Sequence, residues 1–268
     1  MEIKKGIPTF DVICKKQPEI ARLENATLSC PIHGSFEGQI AYYDDGTSHA
    51  YTTCPICIQE NMERERKEEE QKARERLISK CKECNVEPEY YDKYLSDYVA
   101  SNESQEKALN AAKDLLSGKL KKIVLLGSNG TGKTMLGSII AKELDGKIYS
   151  MYEISTMIRQ SYTMKAERSE LEIVKELAEV PFLAIDEVGR TNGSSSEKNW
   201  LSYILDKRHV RGLPFMLMTN GHLRANCPEK GCEKCFENYM DKDIVSRLYQ
   251  DSKIINITGN DYRKRRDL

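Results

Sequence analysis

The sequence predicts an α/β protein built on a parallel β-sheet, preceded by a small zinc ribbon and a helical linker. Three observations carry this. From about residue 101 onward, apolar strand-like runs alternate with amphipathic helical stretches. A glycine-rich segment, Gly127-Ser128-Asn129-Gly130-Thr131-Gly132-Lys133-Thr134, joins one such run to one such helix. Most of the nine cysteines stand in C-x-x-C or C-x-x-H pairs, a spacing that suits metal ligands in a reducing compartment better than a disulfide framework.

Composition bounds what such a chain does. Its 268 residues are 39% hydrophobic and 31% charged, so it can bury a core and falls short of a disordered composition. A formal net charge of −1 excludes a uniformly basic nucleic-acid coat and leaves only local patches for such contacts. No apolar run approaches the roughly 20 residues of a membrane span, and the start, MEIKKGIPTFDVICKK, has no signal-peptide core. A soluble, intracellular, cytoplasmic protein is expected.

Residues 1–58 are expected to form the zinc ribbon. Cys30-Pro-Ile-His33 and Cys54-Pro-Ile-Cys57 each place two ligands on a tight turn, which suits one tetrahedral Zn²⁺. Between them, two short strands should meet at a turn over Asp45-Gly46. His49 offers a substitute ligand without the paired spacing. Residues 59–100 are expected to be a charged helical linker. QENMERERKEEEQKARER lacks Gly and Pro, and its alternating charge blocks suit a solvated helix. Beyond it, the spacing of Tyr90, Tyr94 and Tyr98 places them on one helical face.

Residues 101–268 should hold the sheet. Strands are expected at Lys122–Leu126, Lys147–Met151, Phe182–Asp186, Phe215–Thr219 and Lys253–Thr258, with helices over Met135–Leu144 and Glu197–His209 among the connections. In the 127–134 loop, glycines let backbone N–H groups face phosphate oxygens, and the helix that follows presents its positive end to the same anion. Lys133 should reach the outer phosphates, and the Thr134 hydroxyl should ligate Mg²⁺. The strand PFLAID ends in Asp186-Glu187. Asp186 is placed to hold Mg²⁺, and Glu187 to polarise a water as general base. Because strand residues alternate in direction, these two carboxylates need not do the same job. PFMLMTN ends in Asn220, placed to orient that water at the carboxyl edge of the sheet. Arg247, in DIVSRL, is a candidate arginine finger for a neighbour's γ-phosphate.

A second cysteine cluster, Cys227-Pro-Glu-Lys-Gly-Cys232-Glu-Lys-Cys235, follows His222. It offers three thiolates and one imidazole for a second zinc, or for an iron–sulfur cluster with a fourth ligand. Metal there would stiffen the segment leading to Arg247. Cys81-x-x-Cys84 and Cys14 have no assignment. Arg159, Lys165 and Arg168, with Tyr152 or Tyr162 for stacking, are candidate single-stranded DNA contacts, as is the basic tail Arg263-Lys264-Arg265-Arg266.

The order KIVLLGSNGTGKTML, FLAIDEVGR, PFMLMTN, DIVSRL and IINITGNDYR resembles the DnaC/IstB-like branch of AAA+ ATPases, over roughly residues 90–265. It is most similar to bacterial or phage replicative helicase loaders of the DnaC type. The resemblance implies an AAA+ ATPase core that binds ATP and Mg²⁺, a replicative DNA helicase and single-stranded DNA, with the N-terminal region on the helicase. Little chain follows Thr258, so a core lacking the C-terminal helical lid is expected. Such a site should be completed by a neighbour in an ATP- or DNA-dependent homo-oligomer. An IstB-like transposition ATPase and a nucleotide-switched, non-hydrolytic adaptor are the alternatives.

Overall fold

The computed structural model describes residues 18–163, 165–190, 194–230 and 232–262. Cys14 and the Arg263–Arg266 cluster lie outside them. The chain forms two units, Met1–Arg74 and Glu75–Leu268.

In the first unit, Ile20–Cys30 (β1) and Gly34–Tyr43 (β2) form an antiparallel hairpin with Leu28 opposite Phe36 and Cys30 opposite Gly34. Ser48–Ala50 (β3) adds to the other edge of β2. The β2–β3 turn is set by Asp45, whose carboxylate accepts from Thr47 N at 2.9 Å, and by Gly46 at φ +82°, where only glycine is unstrained. The two strands expected around Asp45-Gly46 are thus present, with a longer third strand, β1, before them. Among the described residues of this unit only Cys30, Ala41 and Cys54 are buried. So small an apolar core cannot offset the ordering of some forty residues unaided.

Pro55–Glu83 (α1) begins with proline at its first position, where the missing N–H costs nothing. Its exposed middle carries the i,i+4 pairs Lys67–Glu63 and Arg66–Glu70. It ends at Asn85, which takes a left-handed φ of +56°, and Pro88 prevents a restart. The chain then makes two 3₁₀ turns, Pro88–Tyr90 and Leu95–Asp97. Tyr90, Tyr94 and Tyr98 therefore do not share a helical face, contrary to their spacing. Tyr98 is buried and Tyr94 exposed. Lys142 holds this stretch down, donating to Tyr90 O, Tyr91 O and Lys93 O at 2.7–2.8 Å.

The second unit contains the parallel sheet. After Glu103–Leu116 (α2) come Lys122–Leu126 (β4), Lys133–Glu143 (α3), Lys147–Ser150 (β5), Met151–Ser161 (α4), Glu170–Glu179 (α5), Leu183–Asp186 (β6), Ser195–Val210 (α6), Phe215–Thr219 (β7), Lys242–Asp251 (α7) and Lys253–Asn256 (β8). Strand order is β5-β6-β7-β4-β8, and every pair is parallel. Helices α4, α5 and α6 each start on a capping box: Ser150 with Glu153, Ser169 with Glu172, and Ser194 with Glu197.

Strand alternation divides the core into two layers. Val124, Leu126, Leu183, Ile185 and Leu217 pack with Ile154, Leu177, Trp200 and Ile204 on one face. Ile123, Leu125, Ala184, Met216 and Met218 pack with Ala108, Leu115, Leu136 and Ile140 on the other. Between α6 and the sheet lies Arg208, fully buried, with its guanidinium donating to Leu177 O, Val180 O, Pro181 O and Pro214 O at 2.6–3.5 Å. Cys81 and Cys84 are core residues beside this sheet; Cys84 Sγ lies 3.5 Å from Ala141 O. No described helix is long and apolar enough to cross a membrane.

Candidate nucleotide-binding site and metal clusters

Parallel strands leave their carboxyl ends on one edge, and there β4, β6 and β7 surround a cleft of ≈ 950 Å³. The 127–134 loop forms its floor. Gly127 has φ +136°, and a Cβ on it would lie 2.1 Å from Ile257 O. Gly132 has φ +89°, and a Cβ there would meet the Tyr98 ring at 2.6 Å. Both positions therefore need glycine for conformation and for space. Burial pushes the Tyr98 hydroxyl up to about 12, so it stays protonated and donates to Thr131 O at 3.3 Å. From the C-terminal side, Tyr262 N donates to Gly130 O at 3.1 Å.

Helix α3 starts at Lys133, which leaves its first N–H groups facing the loop. The Lys133 ammonium donates to Gly127 O and Ser128 O, both at 2.8 Å, and to Asn220 Oδ1 at 3.1 Å. Thr134 Oγ1 donates to Asp186 Oδ2 at 2.6 Å. The other Asp186 oxygen accepts from Glu187 N at 2.7 Å. Asn220 Nδ2 donates to Asn129 Oδ1 at 2.7 Å.

Glu187 corrects one expectation. Strand β6 ends at Asp186, and Glu187 follows in a left-handed turn at φ +56°, so strand alternation does not separate the two carboxylates. Both line the same cleft, and Glu187 is ion-paired with Arg190. A bulky residue held at positive φ is strained.

Lys133, Thr134, Asp186, Glu187 and Asn220 thus meet in one cleft. Arg247 is not among its lining residues; on α7 it pairs with Asp206 of α6. Tyr90, Lys93, Lys234, Tyr239 and Tyr262 also line the cleft; sequence spacing assigns none of them a place in this site, although Tyr262 falls within IINITGNDYR. Of the DNA-contact candidates, Arg168 is ion-paired with Glu176, the Tyr162 hydroxyl donates to Glu170, and the Arg159 guanidinium lies 5.9 Å from the Tyr152 ring. Lys165 is exposed.

Two groups have the donor set for a tetrahedral cation: Cys30, His33, Cys54 and Cys57, and His222, Cys227, Cys232 and Cys235. In each, the ligand atoms lie within 4.8 Å of one another. In the first, Cys30 Sγ and Cys57 Sγ are 3.5 Å apart, and His33 Nδ1 is 3.3–3.7 Å from all three sulfurs. Those are edge lengths of a Zn²⁺ tetrahedron with bonds of roughly 2.0–2.3 Å. His33 Nε2 faces Glu60 Oε1 at 3.3 Å, a carboxylate that fixes the ring with Nδ1 toward the cluster. The backbone N–H of Ile32 leads in pulling the Cys30 thiol down to about 6, and the hydrogen bond with Cys30 leads in pushing Cys57 up to about 12. Crowded sulfurs resist a second negative charge, and a shared dication removes that resistance. His49 stays outside the cluster, on β3 beside Tyr43.

A family model described as IstB-like ATP binding protein matches residues 57–268. The chain belongs to this family. It is 27% identical over 185 residues to the replicative helicase loader DnaC of Escherichia coli K12, covering 66% of this chain and 75% of that protein. It is also 28% identical over 149 residues to the uncharacterised YdaV of the same strain, covering 52% and 59%. In fold, the IstB-like core is similar to the crystal structure of DnaI, at TM-score 0.50 and 24% identity over 66% of this chain and 93% of that one. It is similar also to AMPPCP-bound DnaA from Aquifex aeolicus, at TM-score 0.52 and 19% identity over 66% and 53%. The DnaC/IstB-like AAA+ fold that the motifs imply is the fold observed.

Proposed function

We propose that this chain is an ATP-dependent loader of a replicative DNA helicase. The observation that carries the ATPase half is the Thr134–Asp186 hydrogen bond of 2.6 Å, with Lys133, Glu187 and Asn220 in the same cleft. In this reading the outer phosphates of ATP take the Lys133 ammonium. Thr134 and Asp186 hold Mg²⁺, directly or through water. Glu187 accepts a proton from the attacking water as its oxygen bonds to the γ-phosphorus, and ADP departs. Asn220, beside the Lys133 ammonium, orients that water. Arg247 of a neighbouring copy reaches the γ-phosphate in an ATP- or DNA-dependent homo-oligomer, where it neutralises charge that spreads in the transition state.

The loader half is supported by the similarity to DnaC. Here the 1–58 region, its Cys30/His33/Cys54/Cys57 cluster holding Zn²⁺, engages the helicase with the charged 59–100 segment behind it. The 101–268 region hydrolyses ATP on single-stranded DNA. The work takes place in the cytoplasm of a bacterium or a phage-infected host.

Capture of helicase against transposase by the full chain, with ATP turnover measured with and without single-stranded DNA, tests this. Helicase capture and DNA-dependent turnover lost in Glu187→Gln are expected. Transposase capture instead would support an IstB-like transposition ATPase. Wild-type behaviour of Glu187→Gln would mark a non-hydrolytic adaptor.

A further inference from the structure

Lys234 stands in the nucleotide cleft, although it lies in the loop between β7 and α7, fifteen residues past the strand end. The loop returns to the strand end and is stitched to it. His222 N donates to Lys234 O at 3.3 Å, Phe236 N donates to His222 O at 2.9 Å, and His222 and Cys235 form a parallel bridge. Gly221 permits this approach, since a Cβ on it would lie 2.6 Å from Lys234 O.

The same stitch assembles the second metal cluster. Cys232 Sγ and Cys235 Sγ each lie 3.6 Å from His222 Nε2, and Cys227 Sγ completes the group. Three sulfurs and one imidazole at these separations match a closed structural zinc site. The Cys232–Cys235 knuckle is further tied by Asn238 Nδ2, which donates to Cys232 O at 2.7 Å, and by the Tyr239 hydroxyl, which donates to Glu233 O at 3.0 Å. Tyr239 itself lines the cleft, its ring against Gly189, where a Cβ would be 2.5 Å away. Between two ligands of the knuckle sits Lys234, whose side chain makes no ion pair or hydrogen bond among the described residues.

The geometry points to a metal-braced wall of the nucleotide site: His222, Cys227, Cys232 and Cys235 hold Zn²⁺, and the knuckle so fixed carries Lys234 to the outer phosphates as a second ammonium beside Lys133. The Lys234 half rests on the ATP reading of the cleft; the metal half does not. A Mg²⁺-bound triphosphate is still anionic, so a cation fixed before binding favours it over the diphosphate with no cost of ordering at the moment of contact. Cys232 and Cys235 are positioning residues in this account, and Lys234 is the binding residue.

Two measurements on the full chain decide it. Elemental quantitation should find two zinc equivalents in the wild type and one in Cys232→Ser, with Cys57→Ser also falling to one. Fluorescent-ATP and fluorescent-ADP titrations should show Lys234→Ala weakening ATP about tenfold, the order of one lost charge-assisted hydrogen bond. ADP should be weakened much less, and Lys234→Arg should restore ATP. Cys232→Ser should lose the same preference for ATP over ADP. Joining it to Lys234→Ala should add little. Undiminished zinc in Cys232→Ser, or iron in its place, overturns the metal assignment. An unchanged ATP-to-ADP ratio in Lys234→Ala overturns the phosphate contact. If the wild type binds neither nucleotide, the ATP reading itself fails and takes the Lys234 half with it, while the zinc count still decides the cluster.

Discussion

The Thr134 hydroxyl donates to Asp186 across 2.6 Å, which joins the first turn of α3 to the end of β6 although 52 positions separate them in the chain. A hydroxyl and a carboxylate so placed can share one octahedral Mg²⁺ by small shifts in their side chains, the metal keeping several waters. Substituting Thr134→Val should leave metal-free nucleotide binding nearly intact and abolish most of the gain that Mg²⁺ gives. Titrations with and without Mg²⁺ read this directly; an equal gain in the variant would exclude Thr134 from the metal.

Glu187→Gln would remove the proposed proton acceptor while keeping the shape. Turnover should fall by roughly 10²–10⁴-fold, the range for loss of a positioned general base, while ATP affinity stays within a few-fold of wild type. Steady-state hydrolysis paired with equilibrium binding checks both halves. A parallel loss of affinity would point to a disrupted cleft instead.

Arg247 pairs with Asp206 in its own chain, and both side chains are about two-fifths exposed, so the pair contributes little to stability, roughly 0–1 kcal/mol. Arg247→Ala should therefore melt near the wild-type temperature and yet lose turnover, on the order of 10³-fold if the guanidinium serves a neighbour's γ-phosphate. Mixing Arg247→Ala with Glu187→Gln should restore part of the activity, because one interface in a mixed oligomer regains an intact pair. Absence of any recovery would argue against donation in trans.

Arg208 is a structural cation. Its guanidinium is held among four backbone carbonyls and, among the described residues, pairs with no carboxylate. Arg208→Met should destabilise the second unit by about 2–4 kcal/mol, since four backbone carbonyls lose the buried guanidinium that donates to them. Chemical denaturation measures the loss, and a change under 0.5 kcal/mol, on the order of a surface substitution, would refute the role.

Metal removal should act most on the residues before α1. If Cys30, His33, Cys54 and Cys57 hold Zn²⁺ as proposed, chelation, or Cys57→Ser, should raise amide exchange across β1 and β2, because the unit buries only Cys30, Ala41 and Cys54 among its described residues and a bound cation would supply the missing stability. Acid should act in the same direction, since each bound ion displaces protons from thiols and from His33. Exchange rates unchanged by chelation would show a ribbon that folds without metal.

What spacing along the chain encodes can be read from the residues alone. The five strands, the 127–134 loop before α3, the Asp186-Glu187 strand end and the two Cys/His groups were legible because each is a short run whose chemistry repeats at fixed intervals. Contacts between distant segments emerge from the fold instead. A 3.6-residue spacing cannot foresee that Pro88 and a left-handed Asn85 turn the tyrosines into two 3₁₀ turns. Strand alternation cannot foresee that Glu187 takes a left-handed turn that keeps it in the same cleft as Asp186. Nor does any local pattern mark Arg208 as buried, pair Arg247 with Asp206, or bring Lys234 into the cleft that the 127–134 loop lines. Those outcomes depend on which backbone groups packing leaves to be satisfied, and partners for such groups are chosen by proximity in space, which sequence separation does not measure.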